Sequence, residues 1–158
     1  MTGLFNRRAM QQMLDDYQAQ SLPLAVIALD IDHFKTINDH FGHDVGDAVI
    51  VSLATLMQQD LRADAALCRS GGEEFLLLLP GVSGVQAERI AERLRLRVES
   101  HEMGQAGRIT ISLGVAHWPG DASDLGAVLK QADKALYQAK HRGRNCVVVA
   151  GEARRQKL

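Results

Sequence analysis

Apolar residues recur along this chain in two rhythms, and the rhythms alternate. Ala9, Met13 and Tyr17 fall about one helical turn apart, which predicts a helix over Asn6 to Gln20. Leu24 to Leu29 is an unbroken apolar run. It predicts a strand over 22–31 whose composition suits burial on both faces. A short helix over 33–41 stops at Gly42. A longer one follows from Asp44 to about Leu61, with Val45, Ala48, Val49, Ser52, Leu53, Leu56 and Met57 near the 3.6 period. Ala65–Arg69 and Glu74–Leu79 read as strands joined across Gly71-Gly72, and Pro80-Gly81 ends the second. Ala87, Ile90, Ala91, Leu94 and Val98 mark an amphipathic helix. Ile109, Ile111, Leu113 and Val115 alternate with Thr110, Ser112, Gly114 and Ala116, the pattern of a half-buried strand. Asp121 or Ser123 is placed to cap a helix bearing Leu125, Val128, Leu129, Ala132, Leu136 and Ala139. Gly143 ends that helix, Cys146 to Ala150 forms a last strand, and the polar, basic residues 152–158 are expected to fray.

The order α, β, α, α, β, β, α, β, α, β nearly alternates, but the hairpin at Gly71-Gly72 rules out a purely parallel sheet. An α+β architecture fits better: a ferredoxin-like, split βαβ arrangement with a mostly antiparallel central sheet and helices packed on it. No internal repeat or Pro/Ser-rich linker divides the chain, so residues 1–151 read as one domain and 152–158 as its tail.

Composition narrows the picture only a little. The chain has 158 residues, 46% apolar and 23% charged, ordinary values for a soluble globular domain. The net charge of −1 argues against a nucleic-acid polymer held by a general basic field. Cys68 and Cys146 sit apart in apolar company, as reduced thiols of a cytoplasmic protein do. No apolar run approaches the length that spans a bilayer.

The chemistry lies where apolar strands meet acids. Arg69-Ser-Gly-Gly-Glu-Glu-Phe75 puts two glycines and two carboxylates at the mouth of an apolar strand. A backbone without Cβ can approach a ligand closely, and carboxylates there can hold hard cations beside a phosphate. The alternative is a plain turn with solvated acids. A second acidic pair, Asp30 and Asp32, ends the apolar strand over 22–31. Alternate strand residues share a side, and carboxylates against apolar surface are costly unless hydrated, paired or metal-bound. Asp30 and Glu73 together could hold Mg²⁺.

These clusters and their surroundings resemble the GGDEF family of diguanylate cyclases over Thr2 to about Val149. Five segments carry the resemblance. They are Thr2-Gly-Leu-Phe-Asn-Arg-Arg8; Asp30-Ile-Asp-His-Phe-Lys-Thr-Ile-Asn38 with Gly42-His-Asp-Val-Gly-Asp47; Arg69 to Phe75 in a Gly-Gly-Glu-Glu-Phe form; Ile109 to Val115; and Ala135-Leu-Tyr-Gln-Ala-Lys140 with Gly143-Arg-Asn145. The resemblance implies a palm-type nucleotide cyclase that condenses two GTP into cyclic di-GMP and two pyrophosphates across a homodimer. It implies two Mg²⁺ or Mn²⁺ ions per active site, held by Asp30, the carbonyl of Ile31, Glu73 and Glu74, with Glu73 as general base. Asn38 and Asp47 would read the guanine edge, with His43 in the same segment. Lys35, Lys140 and Arg144 would hold phosphates, and Gly71 and Gly72 would admit the nucleotide to the backbone. Each residue has a structural alternative: Asn38 bonding a turn, Asp47 as a first-turn helix acid, Lys140 and Arg144 as ordinary cations near a helix end, His43 on the surface.

The chain departs from the family pattern in two places. Members carry an Arg-x-x-Asp product-inhibition pair before the signature. Here Arg62 is present, Ala65 replaces the Asp, and Asp64 stands one residue away; a one-residue slip in an extended segment reverses the side chain. Arg93 matches a second arginine used for that product, although with Arg89, Arg95 and Arg97 it also reads as a solvated helix face. This degenerate site implies weakened feedback by cyclic di-GMP. The Asp that usually precedes Thr-Gly-Leu is absent, so the chain resembles a catalytic domain from a larger protein. Such a parent would carry an upstream sensory domain and could be membrane-anchored, and the isolated domain would turn over slowly. The rival function is a catalytically weak domain acting as a regulatory module that binds GTP or cyclic di-GMP. A third is a related cyclase or polymerase acting on another nucleotide.

Overall fold

The computed structural model describes residues 4–120 and 124–151. Its elements follow the expected order: α1 (Arg7–Ala19), β1 (Leu24–Ile31), α2 (Phe34–Phe41), α3 (His43–Gln59), β2 (Ala66–Arg69), β3 (Glu74–Pro80), α4 (Gly84–Ser100), a 3₁₀ turn (Gly104–Ala106), β4 (Ile111–Trp118), α5 (Leu125–His141) and β5 (Val147–Val149). One sheet of order β2-β3-β1-β4-β5 holds the molecule together. Its pairs are antiparallel except β4 with β5. β3 lies between β1 and β2, and β1 between β3 and β4, so two split βαβ units interlock as the sequence predicts.

Every residue of β1 is buried because helices cover both faces of the sheet. Ala25, Ile27, Leu29 and Ile31 join the core under α3 and α4. Leu24, Val26 and Ala28 join a second core under α1 and α5. Alternation along the strand therefore sends Asp30, the next even residue, to the α5 side.

Four local expectations change. β4 is not half-buried: all but one of its residues are buried. The positions between its large apolar residues are small rather than solvated. A Cβ on Gly114 would stand 2.3 Å from both the Ala132 carbonyl oxygen and the Leu136 nitrogen, so glycine lets α5 lie directly on the strand. The buried seam of α1 is Met10 and Leu14, one residue over from the expected line, with Met13 and Tyr17 at its flank. The cap of α5 is Asp124, whose carboxylate accepts from the Ala127 N–H at 2.8 Å; Asp121 and Ser123 lie outside the described residues. Finally, residues 62–65 are not extended: the Ala65 N–H donates to the Arg62 carbonyl in a turn. Thr2, Gly3 and the tail 152–158 also lie outside the described residues. No described helix is long and apolar enough to cross a membrane.

Candidate active site

Sheet register assembles the first half of the site. Asp30 lies opposite Glu74 on β3 and opposite Ser112 on β4, so the three form a row at one end of the sheet. Asp30 is 3% exposed. Its Oδ2 accepts from the Lys140 ammonium on α5, in a short ion pair, while Oδ1 is buried with no partner. Burial pushes its carboxyl up to about 6; the Lys140 hydrogen bond and charge oppose this, and Glu73 and Glu74 add to it.

Asp32 is also buried but has a different task. Its carboxylate accepts from Thr110 Oγ1 and Ser112 Oγ, both at 2.6 Å, and from the Asn145 backbone N–H at 3.0 Å. These bonds fix the exit of β1, after which His33 takes a left-handed backbone (φ +57°) and the chain enters α2 at once. That sharp turn brings Lys35 back over the end of β1.

The hairpin supplies the second half. The Ser70 and Gly71 N–H groups donate to the Glu74 carbonyl at 3.0 and 3.3 Å. The Arg69 guanidinium donates to the carbonyls of Gly71 and Gly72, the shortest contact being 2.6 Å from Nη2 to Gly72. The turn itself does not require glycine. Neither glycine has a positive φ, and a Cβ on Gly72 would meet nothing within 4 Å. The space above the turn is simply open.

A cleft of about 280 Å³ gathers these parts: Asp30, Ile31, Lys35, Glu73, Lys140 and Arg144 all line it, together with Asp32 and His33. Glu74 stands in the row with Asp30 but does not line the cleft. Three carboxylates, one of them (Asp32) already filled by hydrogen bonds, and three cations around one cleft suit a ligand that carries both phosphate and metal. No group of three His, Cys, Asp or Glu among the described residues is placed to hold a metal alone. That donor set still fits Mg²⁺, which takes one or two carboxylates and completes its shell with phosphate and water. The orphaned Asp30 Oδ1 could serve as one such carboxylate ligand.

Asn38, His43 and Asp47 lie outside that cleft, on the α2–α3 corner. Asn38 Oδ1 is buried without a hydrogen bond. A Cβ on Gly46 would lie 1.8 Å from it, so the amide lies against the first turn of α3, which continues to the exposed Asp47. His43 is exposed and opens α3.

Arg62 and Arg93 share a second cleft, of about 300 Å³, with Arg89 and Gln86. Arg62 is committed to Asp64 through two bonds, Nε to Oδ1 at 3.1 Å and Nη2 to Oδ2 at 2.8 Å. The turn at 62–65 folds the displaced acid back onto the arginine. Of the other arginines on α4, Arg97 pairs with Asp60 at 2.6 Å and Arg95 with Glu92 and Glu99. Cys68 is a buried thiol pushed up to about 11 by burial.

Reasoning from sequence gave no task to Asp32, Arg69, Asn145 and Arg95. Arg69 and Asn145 stand inside the segments that carry the family resemblance, but the bonds that define them needed the folded chain.

The chain matches the family described as "Diguanylate cyclase, GGDEF domain" over residues 1–146. It is 43% identical over 157 residues to the response regulator PleD of Caulobacter vibrioides, covering 94% of this chain and 35% of that protein. It is 40% identical over 154 residues to the diguanylate cyclase DgcM of Escherichia coli, covering 95% and 37%. The chain thus spans little more than a third of these relatives. Among solved structures, it aligns with the GGDEF domain of DgcB from Caulobacter crescentus in complex with c-di-GMP. The TM-score is 0.85 at 32% identity, over 93% of this chain and 91% of that one. The active GGEEF domain of a diguanylate cyclase from Vibrio cholerae aligns with TM-score 0.85 at 35% identity, over 93% and 97%.

Proposed function

Since this chain belongs to the GGDEF family of diguanylate cyclases, we propose that it condenses two GTP into cyclic di-GMP and two pyrophosphates. The observation that carries the reading is Asp30. A buried carboxylate with one orphaned oxygen faces a cleft that also holds Glu73, Lys35, Lys140 and Arg144. A solvated acidic turn would have no use for that arrangement. The unit we assign to catalysis is residues 1–151.

Each copy holds one nucleotide, and two copies face each other. Asn38 and Asp47 take the guanine, since a carboxylate accepts from both N1–H and the 2-amino group; His43 lies beside them. Lys35, Lys140 and Arg144 hold the phosphates. The open backbone at Gly71 and Gly72 admits the nucleotide to the turn, which Arg69 keeps rigid. Asp30, the Ile31 carbonyl and Glu73, with Glu74 supporting, would hold two Mg²⁺ or Mn²⁺ ions. Such ions supply a lowered pKa for the attacking hydroxyl and charge neutralisation at the departing pyrophosphate. Glu73 takes the proton from the 3′-hydroxyl as that oxygen bonds to the α-phosphorus of the facing nucleotide. The bond from α-phosphorus to the bridging oxygen breaks, and pyrophosphate leaves. The same exchange from the other copy closes the ring.

The test is pyrophosphate release from GTP with Mg²⁺, the nucleotide product being weighed by mass spectrometry. Glu73→Ala should abolish release while leaving thermal unfolding unchanged, and ATP should replace GTP poorly. Because two copies must meet, tethering two chains should raise the rate per site. GTP binding without pyrophosphate release, even when tethered, would replace this reading by a regulatory one.

A further inference from the structure

Gly143, Arg144 and Asn145 all take left-handed backbone, with φ of +114°, +67° and +49°. Two of the three are not glycine, and such a run persists only where neighbours hold it. The hold falls on Asn145. Its backbone N–H donates to Asp32 Oδ2 at 3.0 Å and to Ser112 Oγ at 3.2 Å. Its side-chain Oδ1 accepts from Arg95 Nη1 at 3.0 Å, and its Nδ2 donates to Glu99 in a short contact. Arg95 is fixed in turn, its Nε donating to Glu92 Oε2 at 2.9 Å. Asn145 does not line the nucleotide cleft, but Arg144 beside it does.

We propose that Asn145, braced by Arg95 and Glu99 of α4, is a positioning residue that sets the Arg144 guanidinium in the phosphate cleft. The inference rests on the reading of Arg144 as a phosphate ligand. The physical case is that every side-chain bond of Asn145 goes to α4, while its N–H ties the turn to Asp32 at the exit of β1. The turn is thereby clamped between two independent elements, which holds the Arg144 backbone at the cleft. Free, the same arginine would spend entropy to reach a phosphate; held, it is pre-organised. A brace that served only to dock α4 on the sheet would act on stability alone.

A double-mutant cycle on nucleotide affinity separates the two roles. The probe is a fluorescent, non-hydrolysable GTP analogue with Mg²⁺, titrated onto the purified chain. Arg144→Ala should weaken binding about tenfold to a hundredfold, the range for a charge-assisted bond. Arg95→Met keeps the packing of the stem, and Asn145→Gly keeps the left-handed backbone available while removing the amide. Each should weaken binding roughly fivefold on its own, yet add almost nothing in the Arg144→Ala background. Equal losses in both backgrounds, or none in either, would overturn the brace. If one variant does not fold, the other carries the test. Unchanged affinity in Arg144→Ala would overturn the phosphate reading, and the brace with it.

Discussion

Replacing Asp30 by Asn should make the protein more stable at neutral pH while abolishing its response to divalent metal. Asp30 is 3% exposed. Its carboxyl is raised from 3.8 to about 6 because burial outweighs the hydrogen bond and charge of Lys140, with Glu73 and Glu74 adding to the rise. The folded state therefore takes up this proton more readily than the unfolded chain. The favourable contribution is complete below about pH 4 and is lost as pH rises through about 6. A displacement of roughly two units corresponds to about 3 kcal/mol above pH 6, or about 6–12 °C in Tm at this chain length. Asn keeps the volume and cannot ionise. The pair with Lys140, whose side chain is 31% exposed and can return to water, is already counted in that value. The gain expected near pH 8 is therefore about 3 kcal/mol. Urea unfolding from about pH 4 to 8, with and without Mg²⁺, measures it. The advantage of Asp30→Asn should shrink as pH falls from about 6 toward 4. Mg²⁺ should raise the midpoint of the parent protein but not of the variant. A variant less stable than the parent near pH 8 would show that the Lys140 pair outweighs burial, and the reasoning would fail.

Three further outcomes are expected. Gly114→Ala drives a Cβ into backbone atoms of α5 at 2.3 Å and should cost about 3 kcal/mol or more by thermal unfolding; a near-neutral result would contradict the close packing of α5 on β4. Gly46→Ala pushes chiefly the end of the Asn38 side chain, with the Phe34 ring tip 3.3 Å away. Folding stability should stay within about 1 kcal/mol of the parent, while GTP affinity falls about fivefold as one hydrogen bond is lost; unchanged affinity would remove Asn38 from the base pocket. With Arg62 committed to Asp64, cyclic di-GMP should inhibit pyrophosphate release weakly, and Ala65→Asp combined with Asp64→Ala should tighten inhibition about tenfold or more. Strong inhibition of the parent at low micromolar product would refute this.

Much of the architecture is legible before folding because the apolar rhythm changes at nearly every true boundary. Leu24–Leu29 has the length and composition of a strand covered on both faces, and that is where β1 sits. The β4 segment misleads for an instructive reason. Alternation of Ile111, Leu113 and Val115 with small residues looks like one wet face. In fact Gly114 and Ala116 are small because α5 packs on them, and Ser112 spends its hydroxyl on Asp32. Size and polarity give the same signal in one dimension. The second cleft was half legible: Arg62 and Arg93 could be named, but the fold of 62–65 that returns Asp64 to Arg62 could not.

The sequence by itself determined the order of the elements, the acids at the ends of two apolar strands and the family to which they belong. These are local facts, set by spacing and residue type. Only the folded chain shows which acid is filled by hydrogen bonds and which keeps a free oxygen. Asp30 lies at the end of β1 and Asp32 just beyond it with nearly equal burial, yet one keeps an orphaned oxygen and the other has its carboxylate filled by Thr110, Ser112 and Asn145. The difference arises from partners about 80 to 113 residues away. Which of two carboxylates remains available for a ligand is settled by the register of β4 and the turn after α5, and no local pattern carries that information.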